Sequence, residues 1–183
     1  MSKLARINGL HHYAYRCRNA EETRSFYEDL LQLPLAHVIQ ADSVPSTGAS
    51  DPYVHLFFEF GDGSYIAFFD LGDETACTPD PQTPSWVNHF AMQVSTEADV
   101  AAWKERLEAA GIDVVGVTDH GFVKSIYFFD PNGIRLEITT EVTGQDARDR
   151  HRAAAKADLK AWTDSRPAPK TNYYRFARES ADA

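Results

Sequence analysis

The sequence predicts an α+β fold of two tandem β-α-β-β-β modules followed by a C-terminal helix. Three observations carry this reading. The chain repeats itself: HYAYRCRNAEETRSFYEDL from His12 lies over HFAMQVSTEADVAAWKERL from His89, so that Ala14 meets Ala91, Phe26 meets Trp103 and Leu30 meets Leu107. Each copy passes from two-residue alternation, the period of a half-buried strand, to helical spacing and back. A Pro- and Thr-containing stretch, LGDETACTPDPQTPS at 71–85, separates the copies as a linker would.

In the first copy, residues 8–17 alternate and predict a strand with His12, Ala14 and Arg16 on one face and Tyr13, Tyr15 and Cys17 on the other. Asn19 is placed to cap a helix over 20–32 that carries Phe26, Leu30 and Leu31, and Pro34 ends it. A strand follows at 35–41, then a loop of Ser, Gly and Pro at 43–52, then strands at 53–60 and 63–69 joined through Gly61, Asp62 and Gly63. The second copy predicts strand 86–95, helix 97–110, strands 113–118 and 122–130, the turn Asp130-Pro131-Asn132-Gly133, and strand 133–140. QDARDRHRAAAKADLKAWT at 145–163 is a strong, charged helix former, expected to be a solvated helix packing by Ala153, Leu159 and Trp162. The expected organisation is one domain over 1–165, with module one at 8–70, module two at 86–141, and a tail at 166–183 whose Tyr173, Tyr174 and Phe176 are able to dock on the body or on another subunit.

Composition narrows the partners. A net charge of −9 over 183 residues argues against nucleic acid and anionic membrane surfaces, which reward basic patches. Two cysteines, Cys17 and Cys77, do not make a disulfide framework, and no apolar run approaches membrane-spanning length. The start, MSKLARINGL, has no secretory hydrophobic region, so a cytoplasmic location is expected. Cys17 lies on the apolar side of its strand and reads as buried packing, while His37 and His151 read as surface residues.

The repeat also aligns chemistry. His12 and His89 stand at equivalent positions, and GSYIAFFD from Gly63 lies over GIRLEITT from Gly133, which sets Glu137 opposite Ala67. Two imidazoles and one carboxylate form a facial ligand set that leaves open positions on a ferrous-type ion. By strand parity, His89, Ala91 and Gln93 share one face of their strand, as do Arg135, Glu137 and Thr139 of theirs. If helices cover the apolar faces, the ligand faces line a concave cavity, and the two modules form a curved mixed sheet around a metal held by His12, His89 and Glu137. His11 is the alternative to His12, but Asn88 occupies its place in the second copy.

The stretches LHHYAYRC…FYEDLL, VNHFAMQV and YFFDPNGIRLEI resemble the vicinal oxygen chelate superfamily over roughly residues 8–141. That superfamily includes glyoxalase I, extradiol ring-cleaving dioxygenases, epimerases, thiol transferases and metal-free drug-binding proteins. Glyoxalase-type members use a second glutamate where this chain has Ala67, whereas the small extradiol dioxygenases use two histidines and one glutamate at the positions of His12, His89 and Glu137. They also resemble this chain in a tyrosine ten residues before the glutamate, here Tyr127. The resemblance implies Fe(II), or Mn(II), as cofactor, with a catechol-type compound and O2 as substrates. His55 is the candidate acid–base residue, because it shares strand parity with Phe57, the repeat counterpart of Tyr127. Tyr127 is expected to hydrogen-bond a substrate oxygen and His120 to contact substrate, with Tyr65 and Phe69 forming an aromatic wall. The other readings are a glyoxalase-like isomerase or lyase, which needs a replacement for the missing carboxylate, and an aromatic-drug-binding protein, which does not need the complete ligand set. A homodimer is expected by analogy.

Overall fold

The computed structural model describes residues 4–75 and 82–165, and Cys77 and the tail aromatics lie outside the described residues. Each module opens with a short strand and a capped helix. Strand β1 (His12–Cys17) leads to Asn19, whose side chain accepts the Glu22 backbone N–H at 2.9 Å and starts α1 (Ala20–Arg24). Over Ser25–Leu30 the helix widens into a π-type turn, so the single helix expected over 20–32 is regular only in its first half. Tyr27 and Phe26 are thereby both turned into the core. In the second module, β5 (Phe90–Gln93) leads to Thr96, which forms a reciprocal capping box with Asp99 at the head of α2 (Glu97–Ala109).

The remaining strands are β2 (Leu35–Ala41), β3 (Tyr53–Glu59) and β4 (Tyr65–Asp70) in the first module. The second module contributes β6 (Val115–Asp119), β7 (Val123–Phe129) and β8 (Arg135–Glu141). They make two four-stranded mixed sheets of identical plan, ordered β1-β4-β3-β2 and β5-β8-β7-β6, with β1 parallel to β4 and β5 parallel to β8. The sequence repeat has become a structural one. Ala14 pairs with Ala67 in the first sheet, and Ala91 pairs with Glu137 in the second. The strands expected over 8–17 and 86–95 are shorter than anticipated, because β1 and β5 begin only where β4 and β8 offer a ladder.

The apolar faces of both sheets meet in one core. Cys17, Leu56, Phe58, Ile66 and Phe68 from the first sheet join Ile126, Phe128, Leu136 and Ile138 from the second, with Tyr27, Leu31, Val100 and Leu107 from the helical segments. A buried polar clasp ties the modules within this core. Tyr27 Oη donates to Asp130 Oδ2 at 3.0 Å, Asn132 Nδ2 donates to Thr23 Oγ1 at 3.2 Å, and the Arg18 N–H donates to Asn132 Oδ1 at 3.0 Å. The Asp130-Pro131-Asn132-Gly133 turn shapes this clasp: Asp130 Oδ1 accepts the N–H groups of Asn132 and Ile134, and Gly133 supplies the left-handed step at φ 81°. Burial pushes the Asp130 carboxyl above its ordinary range, and Tyr27 likewise.

The chain divides into two compact units, residues 1–142 and 143–183. Within the second, α3 (Gln145–Asp164) has no buried side chain. Leu159 and Trp162 are 65 % and 60 % exposed. No described helix is long and apolar enough to cross a membrane.

Candidate functional site

The face of each sheet turned away from the core carries the candidate residues, as strand parity requires. In the second sheet the groups are assembled. His89 Nε2 lies 2.9 Å from Glu137 Oε2, while His89 Nδ1 sits 3.0 Å from the Val87 carbonyl oxygen. A ring N–H given to that carbonyl leaves Nε2 as a lone-pair donor, the state in which imidazole binds a metal. Glu137 is 6 % exposed, so its carboxylate is held rather than free in solvent. Directly across the ladder is Tyr127, and its hydroxyl is 2.8 Å from His120 Nε2. The His89 and Tyr127 rings meet edge to face at 6.0 Å. Burial, above all, raises the Tyr127 phenol, which therefore stays protonated at neutral pH.

The first sheet holds a second cluster. His12 lies edge-on to Phe57 at 5.6 Å and to His55 at 6.3 Å. His55 is stacked on Phe69 at 3.6 Å and tilted against Phe57 at 4.1 Å. Its Nε2 is buried and has no hydrogen-bond partner. Burial pushes the His55 pKa down to about 4, with smaller contributions from His12 and His37, so the ring is neutral at physiological pH. Tyr65 faces the same way as Phe57, at 6.0 Å. His11 Nδ1 lies 2.8 Å from His12 Nδ1, an arrangement in which one ring donates and the other accepts.

The structure brings together His89, Glu137, Tyr127 and His120 in one module and His12 and His55 in the other. It does not bring His12 to His89 and Glu137 within one chain. Among the described residues no group of three or more histidine, cysteine or acidic side chains is arranged to hold a metal. The reason lies in the shared core. Tyr13, on the far side of β1 from His12, lies 6.0 Å from Phe90, on the far side of β5 from Ala91. The modules therefore meet through the faces opposite to the ligands, and the ligand faces point outward. His12 and His89 are both exposed in the single chain. The donor types suit a divalent ion, but one chain supplies two of the three in one place.

Two side chains on these faces carry geometry that the sequence reading passed over. His37, read as a plain surface residue, pairs in register with Phe57 and lies 5.6 Å from its ring. Arg135 places its guanidinium 4.0 Å over the Tyr127 ring and donates from Nη1 to the Trp86 carbonyl oxygen at 2.8 Å. Strand parity was the available signal in both cases. Cys17 is buried, 1 % exposed, and its thiol is pushed up to about 11 by burial, as packing rather than nucleophilic chemistry requires.

Comparison with known proteins agrees with this architecture. A 27 % identical match over 89 residues joins the chain to MhqA of Bacillus subtilis (strain 168), provisionally named a ring-cleaving dioxygenase. The match spans 49 % of this chain and 28 % of that longer protein. Among solved structures, a glyoxylase/bleomycin resistance protein/dioxygenase domain from Frankia sp. EAN1pec superposes with a TM-score of 0.59 at 17 % identity, over 74 % of this chain and 99 % of that one. The genomically encoded fosfomycin resistance protein FosX from Listeria monocytogenes, solved with Mn(II) and a sulfate ion, superposes at 0.55 with 20 % identity, over 78 % and 98 %. Lactoylglutathione lyase from Agrobacterium tumefaciens superposes at 0.50 with 22 % identity, over 73 % and 94 %. These likenesses establish the fold. The profile of one superfamily runs through residues 9–138, from the strand of His12 to the strand of Glu137, and on that match the chain belongs to the Glyoxalase/Bleomycin resistance protein/Dioxygenase superfamily.

Proposed function

We propose that the protein is an extradiol dioxygenase that opens the ring of a catechol-type compound with O2. In this reading one Fe(II), or Mn(II), is held by His89 and Glu137 of one copy and His12 of a second copy of the chain. The carrying observation is the pair of complementary half-sites: His89 and Glu137 preassembled at 2.9 Å beside Tyr127 in one sheet, and exposed His12 beside His55 in the other. A symmetric dimer in which each ligand face covers the other kind would complete two equivalent centres. The likeness to MhqA supports ring cleavage over the other chemistries of the superfamily. Ala67, fully buried opposite Ala14, offers no second carboxylate, which weighs against a glyoxalase-type isomerase.

When bound, the ion would supply a template for both catechol oxygens and for O2, and a route for electrons between them. The chain's own residues would do the rest. His55, neutral and with an unused Nε2, accepts a proton from a catechol hydroxyl and later returns it. Tyr127 donates its hydroxyl hydrogen to a substrate oxygen, and His120 fixes the direction of that hydroxyl. Phe57, Phe69 and Tyr65 give a flat ring an apolar wall.

Anaerobic reconstitution with Fe(II), followed by a catechol panel in air, tests the activity through oxygen uptake and the yellow ring-fission absorbance. His12→Ala and Glu137→Ala should each abolish turnover. Mixing the two variants under conditions that exchange subunits should restore about one quarter of wild-type activity, because half of the dimers then carry one intact site. No recovery on mixing would place all three ligands in one chain, and no turnover in fully iron-loaded wild type would remove the dioxygenase reading.

A further inference from the structure

Arg135 is a cation without a counter-charge among the described residues, on the face that carries the proposed site. It opens β8 two residues before Glu137, and residues so spaced on a strand project from the same face. Two contacts hold it: the ring of Tyr127 beneath the guanidinium at 4.0 Å, and one N–H given to the Trp86 carbonyl at 2.8 Å. Five donors are available on the group, and the remaining ones have no acceptor among the described residues.

Arg135 shares the lack of an acid partner with Arg106, which among the described residues meets only backbone carbonyls and the Trp103 ring, but Arg135 alone of the two lies on the face of Glu137 and Tyr127. Arg16, Arg18, Arg24, Lys104 and Lys124 all sit against carboxylates. The carboxylate closest along the strand, Glu137, makes no ion pair with Arg135 and lies 2.9 Å from His89 Nε2. Arg135 is half-buried, so water compensates its charge only in part. A planar guanidinium fixed on one side by an aromatic face and a carbonyl presents its free edge as a fork. That fork matches the two oxygens of a carboxylate.

We propose that Arg135 determines substrate specificity and that the substrate is an aromatic acid, its carboxylate bound by the free edge of Arg135 while its ring oxygens lie toward Glu137 and Tyr127. The proposal rests on the site assigned above. It adds that the ring carries an acidic side group, and that neutral catechols are poor ligands.

The test reads binding without turnover. Wild type, Arg135→Gln and Arg135→Lys are titrated anaerobically by calorimetry with two probes, 3,4-dihydroxyphenylacetate and its uncharged analogue 3,4-dihydroxyphenylacetamide. Wild type should bind the acid about tenfold or more tightly than the amide, the margin of a charge-assisted pair. Arg135→Gln should bind both alike, and Arg135→Lys should keep part of the preference. Raising the salt concentration should shrink the wild-type preference, a reading that stands even if the variants fold poorly. Equal binding of the two probes by wild type overturns the proposal, as does an acid preference that survives in folded Arg135→Gln. The outcomes separate this idea from the reaction: acid preference without oxygen uptake would remove the dioxygenase reading alone, and turnover of neutral catechols without acid preference would remove the role of Arg135 alone.

Discussion

His55 joins sequence, burial and chemistry in one side chain. Strand parity in DPYVHLFFEF puts it on the face of Phe57, and the fold then seals it among aromatic rings with Nε2 unsatisfied. A buried polar atom without a partner costs about 1–3 kcal/mol, so the residue is a burden on stability that a structural role does not explain. His55→Phe should therefore raise the stability of the metal-free protein by about 1–2 kcal/mol in chemical denaturation, and under the proposed function the iron-loaded variant should lose ring cleavage. An unchanged or lowered stability would mean that Nε2 is satisfied in solution. The pH dependence has a definite sign. The folded-state pKa lies near 4 against 6.5 for a free histidine, so the stability this neutral ring permits is fully present above 6.5 and is lost as pH falls toward 4. The gap between metal-free wild type and His55→Phe should widen between pH 7 and 5, and a constant gap would contradict the assigned shift.

At the level of elements, the caps and turns were legible because they are local. Asn19 and Thr96 hydrogen-bond within their own helix heads, and no distant residue is needed to place them. Thr96→Ala should cost about 1 kcal/mol of unfolding free energy, because the hydroxyl that accepts the Asp99 N–H is lost while the Thr96 backbone N–H still donates to the Asp99 carboxylate. The DPNG turn was legible as a turn, yet its second duty was not. Through Asp130 and Asn132 it grips Tyr27, Thr23 and Arg18 of the other module, across more than a hundred residues of sequence. Tyr27→Phe removes a buried hydrogen bond to an acidic group and should cost about 1.5–3 kcal/mol. A loss well below this would show that the clasp contributes little beyond packing. The π-type widening over Ser25–Leu30 had no local signal, since FYEDLL suits a regular helix; it serves to turn both Phe26 and Tyr27 inward.

At the level of the molecule, two sheets of the same plan share one core through their apolar faces, which sends the ligand faces outward and apart. Exposed His12 and His89, together with Val115 at 65 % and Phe129 at 47 % exposure, leave surfaces that a second copy would cover. Light scattering should accordingly find a dimer at micromolar concentration. A charge introduced on this face, as in Phe129→Glu, should give monomers, and under the proposed function those monomers should not bind iron stoichiometrically. A monomer that binds one equivalent of iron would refute the shared centre.

By itself the sequence determined what is periodic or local: the two modules, their strand faces and the helix starts. Alternation and capping are short-range consequences of strand pleat and helix geometry, so they survive without tertiary information. The tertiary structure decided which faces meet. Burial of the apolar faces in a common core joined His89 to Glu137, set Tyr127 against His120 and Arg135, and kept His12 with His55 in the other module. Two modules can pair in a chain either around their ligands or around their apolar faces, and the pattern of a single strand is the same in both.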